Sequence, residues 1–537
     1  MARVALDGQA LQVEGWADRG VGRYVTGYAA ALARQGALAA LLLAPELPPA
    51  RGLPDDLVAA GLVRWDGAEA CRALTASGPV AHHLTAPFLH YEPGAPAGLG
   101  VAEHWARAGA ARVVLLHDLI PLRAPRHYLG RPGHESRYRA RAAWVAQADL
   151  VVTNSEYTRR EAIAVLGCDP DRVATVGIGV APFFFPPDGT DEELWRFHFP
   201  GLAGRPHLVT VGGSDARKGT STAIAALGLL VARELDLSLL VVGHLAPAFR
   251  AELETLAGAC GVADRVVFAG AVGDEVLRAC YRRAALSVMP SLAEGAGLPV
   301  LESAACGTPA LASATTALAE TAAAPAALFD PAEPGALADA VAAALEDAPR
   351  RAAILSAQQA LAAASTWDAV AARAVAAIDG LGGRAGPARA EAPPPRLAVV
   401  GWPATDQQRL GALLAGWPGP VDLVDAAAVG PVVRLASYDA VVYVIRGVPG
   451  DGAVLAAAGR HPGWLWLWGS AGRGVGRSEL EPLVRRSAGL VVDAGPALDA
   501  VRLALRPGTA PPPVVALPEG EGRMDALVSA LRPAATV

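Results

Sequence analysis

Short apolar runs alternate with helix-patterned stretches along almost the whole chain, and this alternation restricts the fold more than any other feature. It predicts parallel strands joined by crossover helices. Strand candidates in the first part are RVALD near the start, ARVVLLHD at 111–118, ADLVVTNS at 148–155 and RVATVGIGV at 172–180. After FFFPPDGTDEE a second set begins: PHLVTVGG at 206–213, LSLLVVGH at 237–244, RVVFAG at 265–270 and ALSVMPS at 285–291. Two successive Rossmann-like domains follow, 1–188 and 189–380. A hydrophobic share of 53%, mostly Ala, Val and Leu, suits strands buried on both faces.

Residues 381–395, LGGRAGPARAEAPPP, are Gly/Pro/Ala-rich without apolar periodicity and form a linker. Strand signals resume over 396–537 with RLAVVG, YDAVVYVIRG, GWLWLWG, AGLVVDAG and PVVALPEG. The last three align in order with RVVLLHD, QADLVVTNS and VATVGIGV of the first domain. The segment therefore reads as a shortened, degenerate repeat of that domain, a third Rossmann-like α/β unit. Chemistry does not carry over with the pattern: Trp468 aligns with His117, Gly469 with Asp118 and Ala494 with Asn154. Trp464, Trp466 and Trp468 alternate on the expected strand and would share one face, as a core or interface stripe does.

No apolar run reaches the roughly 18 residues a membrane span needs, and the first residues carry no basic region followed by an apolar core. The five cysteines, Cys71, Cys168, Cys260, Cys280 and Cys306, form no CxxC pair, which predicts reduced thiols and a cytoplasmic protein. A net charge of −6 argues against nucleic acid as the main partner.

Strand-end loops of such sheets point into one crevice, and four charged or glycine-rich stretches fall there. DRGVGRY follows the first strand and opens a helix, with Gly20 and Gly22 offering a close backbone approach to an anion. HDLIPL ends another strand at His117. In GGSDARKG, Gly213 precedes Arg217 and Lys218, a pair suited to a diphosphate, with Arg forking two oxygens and Lys neutralising a third. Of 46 basic residues, Lys218 is the one lysine, so its ammonium does something a guanidinium cannot. In PSLAEGAGLPVLESAACGTP, Glu294 lies in a glycine-rich turn, Pro299 suits the first turn of a helix, Glu302 lies near its start and Gly307 can stop it. One carboxylate can accept hydrogen bonds from sugar hydroxyls at the helix mouth while the other accepts them from a ribose. A hydrolytic acid/base pair needs carboxylates facing across a glycosidic bond, which a loop and helix pair eight apart does not obviously supply.

Together GVGRY, HDLIPL, ADLVVTNSEYTRRE, VGGSDARKG and PSLAEGAGLPVLESAACGTPALAS resemble a family 4 retaining glycosyltransferase of the GT-B fold, over residues 1 to about 380. The resemblance implies two Rossmann-like domains facing a cleft, a nucleotide-sugar co-substrate, no other cofactor and no metal. It implies that Arg217 and Lys218 hold the diphosphate, Glu302 the ribose, and Glu294 and His117 the transferred sugar. Gly20, Gly22, Gly213, Gly295, Gly297 and Leu298 complete the implied donor site. Asn154 and Ser155 read mainly as a helix cap. Ala296 stands where the family usually has a bulky aromatic, which bears on donor packing. GVGRY with HDLIPL is similar to a bacterial subgroup that builds surface polysaccharides such as lipopolysaccharide, which implies GDP-mannose or a UDP-sugar as donor and a glycan or lipid-linked glycan as acceptor. Peripheral contact with the inner membrane face, and a protein partner held by 396–537, are the further partners expected. The alternatives are a nucleotide-sugar epimerase on the same scaffold and a catalytically silent glycan-assembly scaffold.

Overall fold

The computed structural model describes residues 2–383, apart from 86–104, 131–137 and one or two positions each near 14, 18, 45, 67, 107, 140, 143 and 203, together with six strands between 397 and 517. The first sheet contains β1 (Val4–Asp7), β2 (Leu38–Leu43), β3 (Val63–Trp65), β4 (Ala81–Leu84), β5 (Ala111–Leu116), β6 (Leu150–Thr153) and β7 (Val173–Thr175). All its pairings are parallel, in the order β3-β2-β1-β4-β5-β6-β7. The expected strand at 172–180 stops at Thr175, and Gly177 then takes φ +84°, a left-handed conformation that turns the chain out of the sheet.

The second sheet contains β8 (His207–Val211), β9 (Ser238–Val242), β10 (Val266–Gly270), β11 (Leu286–Met289), β12 (Ala310–Ser313) and β13 (Leu328–Phe329). It too is parallel, in the order β10-β9-β8-β11-β12-β13. Strand order reverses between β8 and β11, and a crevice opens at the carboxyl ends of two such strands. The loops GGSDARKG and PSLAEGAG leave these two neighbouring strands. The third sheet contains β14 (Leu397–Val400), β15 (Val421–Val424), β16 (Ala440–Ile445), β17 (Trp464–Leu467), β18 (Gly489–Asp493) and β19 (Val514–Leu517), parallel in the order β15-β14-β16-β17-β18-β19. Strand β17, with Trp464 and Trp466, is interior, while Trp468 lies outside the described residues.

Six helices position the site: α1 (Gly20–Arg34), α2 (Glu156–Leu166), α3 (Thr220–Ala232), α4 (Asp274–Arg283), α5 (Leu298–Ala305) and α6 (Trp367–Asp379). The sequence groups α6 with the second domain, yet it packs on the first. Trp367, Val370, Ala371, Ala374, Val375 and Ile378 share one core with Val4, Leu6, Tyr24, Val25, Tyr28 and Leu32. Glycine makes room for the indole: a Cβ on Gly27 or on Gly179 would lie 2.4 Å from Trp367 atoms. The chain therefore crosses between halves twice, and the crossings are bonded to each other, with Val180 N–H donating to Ser365 O at 2.7 Å.

Candidate functional site

The loop after β8 is held open toward the crevice by its own turn chemistry. Asp215 caps a single 3-10 turn, Ala216–Lys218, by accepting the Arg217 N–H at 2.9 Å. Gly219 then takes φ +68°, and a Cβ there would come within 2.0 Å of Pro290 O, so α3 starts hard against the end of β11. Both cations of the turn converge on one carboxylate. Lys218 Nζ donates to Glu294 Oε1 at 2.7 Å, and Arg217 lies 3.3 Å from Glu294 Oε2 while also donating to Ala293 O. Glu294 is only 12% exposed. Burial pushes its carboxyl up, but the charges of Lys218 and Arg217 outweigh burial and hold it below the ordinary carboxylate range.

Helix α5 begins as its sequence requires. Gly297 sits at its N-cap with φ +88°, Leu298 opens the first turn with Pro299 behind it, and Gly307, at φ +86°, follows its end. Glu302, 3% exposed, is reached from two directions: Tyr281 on α4 donates to Oε2 at 3.0 Å and Arg23 on α1 donates to Oε1 at 3.1 Å. Burial raises the Glu302 carboxyl above its ordinary value, and Arg23 and Tyr281 oppose the rise. Arg23 also pairs with Asp274 at the start of α4.

The halves meet backbone to backbone beside these groups. A Cβ on Gly295 would lie 2.3 Å from His117 O, so glycine there is a condition of closure. Ser155 caps α2 by accepting the Thr158 N–H at 3.1 Å and donates across the cleft to Gly295 O at 2.6 Å. Asn154, read mainly as part of the cap, has its amide 3.4 Å from His117 Nδ1. The His117 ring stands edge to face on Tyr24, 5.1 Å between centroids, and Tyr24 stands in the same way on Trp367 at 4.9 Å. Tyr128 donates to Asp215 at 2.9 Å and accepts from Arg217 Nε at 3.2 Å, tying the loop after β8 to the first half. Burial and the neighbouring Asp215 push the Tyr128 hydroxyl up to about 12, so it stays a neutral donor.

The structure thus brings His117, Arg217, Lys218, Glu294, Gly295 and Glu302 to one cleft. A Cβ on Gly22 would meet Ala17 O at 2.1 Å, so packing inside the first half already requires glycine there. Gly20 is exposed at the start of α1 with nothing near its Cβ position, Gly213 meets only His244 O at 3.5 Å, and Asp18 lies outside the described residues. Ala296 is buried, and its carbonyl accepts from Thr321. Arg23, Tyr24 and Asp215 were present in quoted motifs without a role; Tyr128, Asp274 and Tyr281 carried no motif signal. Among the described residues no cluster of His, Cys, Asp or Glu could hold a metal ion, and no helix is long and apolar enough to cross a membrane. All five cysteines are free thiols.

The Glycosyltransferase Family 4 profile matches residues 19–182 and the Glycosyl transferases group 1 profile residues 191–360. The chain is 30% identical over 295 residues to the D-inositol 3-phosphate glycosyltransferase of Xylanimonas cellulosilytica, covering 53% of this chain and 69% of that one. It belongs to glycosyltransferase family 4. The serotype-specific mannosyltransferase WbdA of Escherichia coli is 29% identical over 201 residues, 37% of this chain and 25% of that one. Several other D-inositol 3-phosphate glycosyltransferases match over about half of their own length, 51–53%. The solved structure of Anabaena HepE in complex with UDP and glucose superposes with a TM-score of 0.55 and 18% identity, over 71% of this chain and all of that one, which shows the GT-B fold.

Proposed function

We propose that the chain transfers a hexose from a nucleotide-sugar donor to a glycan or lipid-linked acceptor, with retention at the anomeric carbon. The observation that carries this reading is the convergence of Lys218 and Arg217 on Glu294 at the ends of adjacent strands, with Glu302 eight residues on and the His117 loop closing from the other half. Until a donor arrives, Glu294 neutralises the two cations. A diphosphate draws them away, which frees Glu294 to accept hydrogen bonds from the sugar hydroxyls as charge builds on the leaving group. Cations already moved onto the diphosphate when the donor binds then stabilise that charge without further rearrangement as the bond breaks. The acceptor attacks from the face the diphosphate leaves, and the departing phosphate takes its proton.

Mannose from GDP-mannose is the donor we propose first, supported by the mannosyltransferase relative; UDP-sugars come next. Residues 396–537 act as a non-catalytic appendage to a cytoplasmic enzyme that touches the inner membrane face to meet a lipid-linked acceptor. A thermal-shift screen with GDP-, UDP- and ADP-sugars, followed by incubation with the labelled donor that binds, tests this. Stabilisation by one donor class and transfer to acceptor or water supports it; isomerisation of the sugar, or no shift with any donor, overturns it.

A further inference from the structure

A carboxylate as buried as Glu302 is costly unless a cation reaches it. Among the described residues, the second half supplies it with the neutral hydroxyl of Tyr281, 3.0 Å from Oε2, and no cation. Its cation comes from the first half: Arg23, 279 residues away in sequence, donates to Oε1 at 3.1 Å. The other amino group of the same guanidinium pairs with Asp274 at the first turn of α4, and the Arg23 side chain is 27% exposed at the cleft edge. Arg23 thus fastens α4 and α5 of one half to α1 of the other.

A carboxylate has about four acceptor positions, two on each oxygen. Arg23 and Tyr281 take one on each, which leaves one on each for the two neighbouring hydroxyls of a ribose. Without Arg23 the carboxyl would be buried with no charge partner and would take a proton. It would then present one O–H donor where two acceptors are needed. The arrangement holds only while the halves are together, because Arg23 and Glu302 approach from opposite sides.

We infer that Arg23 is a positioning residue for ribose recognition: by pairing with Glu302 across the cleft it keeps that carboxylate charged and aimed, so the site reads ribose only when closed. This rests on the assignment of Glu302 to the donor ribose. Replacing the 2′-hydroxyl by hydrogen leaves a buried acceptor unpaired, so closed protein should favour UDP or GDP over its 2′-deoxy counterpart by about tenfold or more.

Titration calorimetry with UDP, GDP, 2′-deoxy-UDP and 2′-deoxy-GDP on the full chain tests this, with melting curves as a control for folding. In Arg23→Gln the preference for ribose should collapse to within about twofold, mainly through weaker binding of the ribonucleotide. Arg23→Lys should restore part of it, and Asp274→Asn, which loosens the outer arm alone, should lower it less than Arg23→Gln does. If Arg23→Gln keeps the original ratio while both affinities fall together, Arg23 acts on the phosphates or on the fold and the inference is wrong. If Arg23→Gln does not fold, unchanged ratios in both other variants would reject it equally. Wild-type protein that binds neither nucleotide, or binds ribo and deoxy forms alike, would instead remove the Glu302 assignment beneath it.

Discussion

The first and second sheets share one strand order, and the third lacks the edge strand at which both begin. Removing β3 from β3-β2-β1-β4-β5-β6-β7 leaves a sequence that β15-β14-β16-β17-β18-β19 matches strand for strand. Removing β7 instead leaves the order of the second sheet, β10-β9-β8-β11-β12-β13, so both of the first two sheets place two strands beyond their first one before the order reverses, and the third sheet places one. The third segment therefore has the strand order that a first half shortened by one edge strand would have, in line with a degenerate repeat. Its strand ends nevertheless carry Trp468 and Ala494 where the first half has His117 and Asn154. Apolar strands preserve an architecture, while the chemistry resides in a few loop side chains that can be lost without disturbing it.

The largest expected effect breaks the idea that the first half is self-sufficient. Ending the chain after residue 365 removes α6 and six core residues of the first half, and this truncation should lose folded structure by circular dichroism and all transfer. A truncation with native ellipticity would show that the α6 contact is dispensable. Next comes Lys218→Arg, which keeps the charge and should still lower turnover on the order of 10², with the melting temperature close to wild type; unchanged turnover would make the lone lysine an accident of composition. Glu302→Gln should then weaken binding of bare UDP or GDP by about tenfold, whereas Glu294→Gln should bind the nucleotide nearly normally and fail in transfer. Equal loss of nucleotide affinity in both would merge two roles that the geometry separates.

A smaller effect compares the two catalytic halves through pH. Each buries a histidine in neutral form: burial first, then the neighbouring His82, lowers His83 to about 3, and burial lowers His207 to about 4. The unfolded chain takes up protons below about pH 6.5 that these folded sites refuse. Stability should therefore fall as pH drops from about 6.5 and level off only below the folded values. At pH 5 the loss should be roughly 2 kcal/mol for each histidine. Urea titrations at pH 7 and pH 5 measure it, and equal midpoints would reject the burial argument. The smallest effect is expected for a truncation after residue 385, which keeps α6 and removes the third sheet. Donor turnover should stay within about twofold, since each preorganised donor group lost from a site typically costs 10² or more. Loss of activity in that folded truncation would place part of the site in the third segment.

Much of the architecture was legible because buried parallel strands read as Val- and Leu-rich runs. Six strands were overlooked, Val63–Trp65 and Ala310–Ser313 among them, and four explain themselves. Leu38–Leu43 is made of leucine and alanine, good helix formers; Ala81–Leu84 carries two histidines that turn out to be buried; Val421–Val424 contains an aspartate; and Leu328–Phe329 is two residues long. The meeting of Arg217 and Lys218 with Glu294, and the place of Glu302 on the following helix, were legible because charged glycine-rich loops at strand ends of such a sheet point into one crevice. Partners across the cleft were not. Arg23 meets Glu302, and Tyr128 meets Asp215, only once two separately folded halves have docked. The packing need at Gly22 was hidden for a related reason, since a glycine required by a neighbouring carbonyl and one required by a ligand look alike in sequence.

Helix α6 also sets a timetable for synthesis. The first half has all its strands once Thr175 has been made, but the indole that fills the space between Gly27 and Gly179 belongs to residue 367. At about 5–20 residues per second, the ribosome takes roughly 10–40 s to cover that interval. During that time the nascent first half leaves the apolar face that will receive α6 open to solvent, while the whole second half emerges behind it. The order of folding is thus the reverse of the order of translation: the half made first is the half finished last.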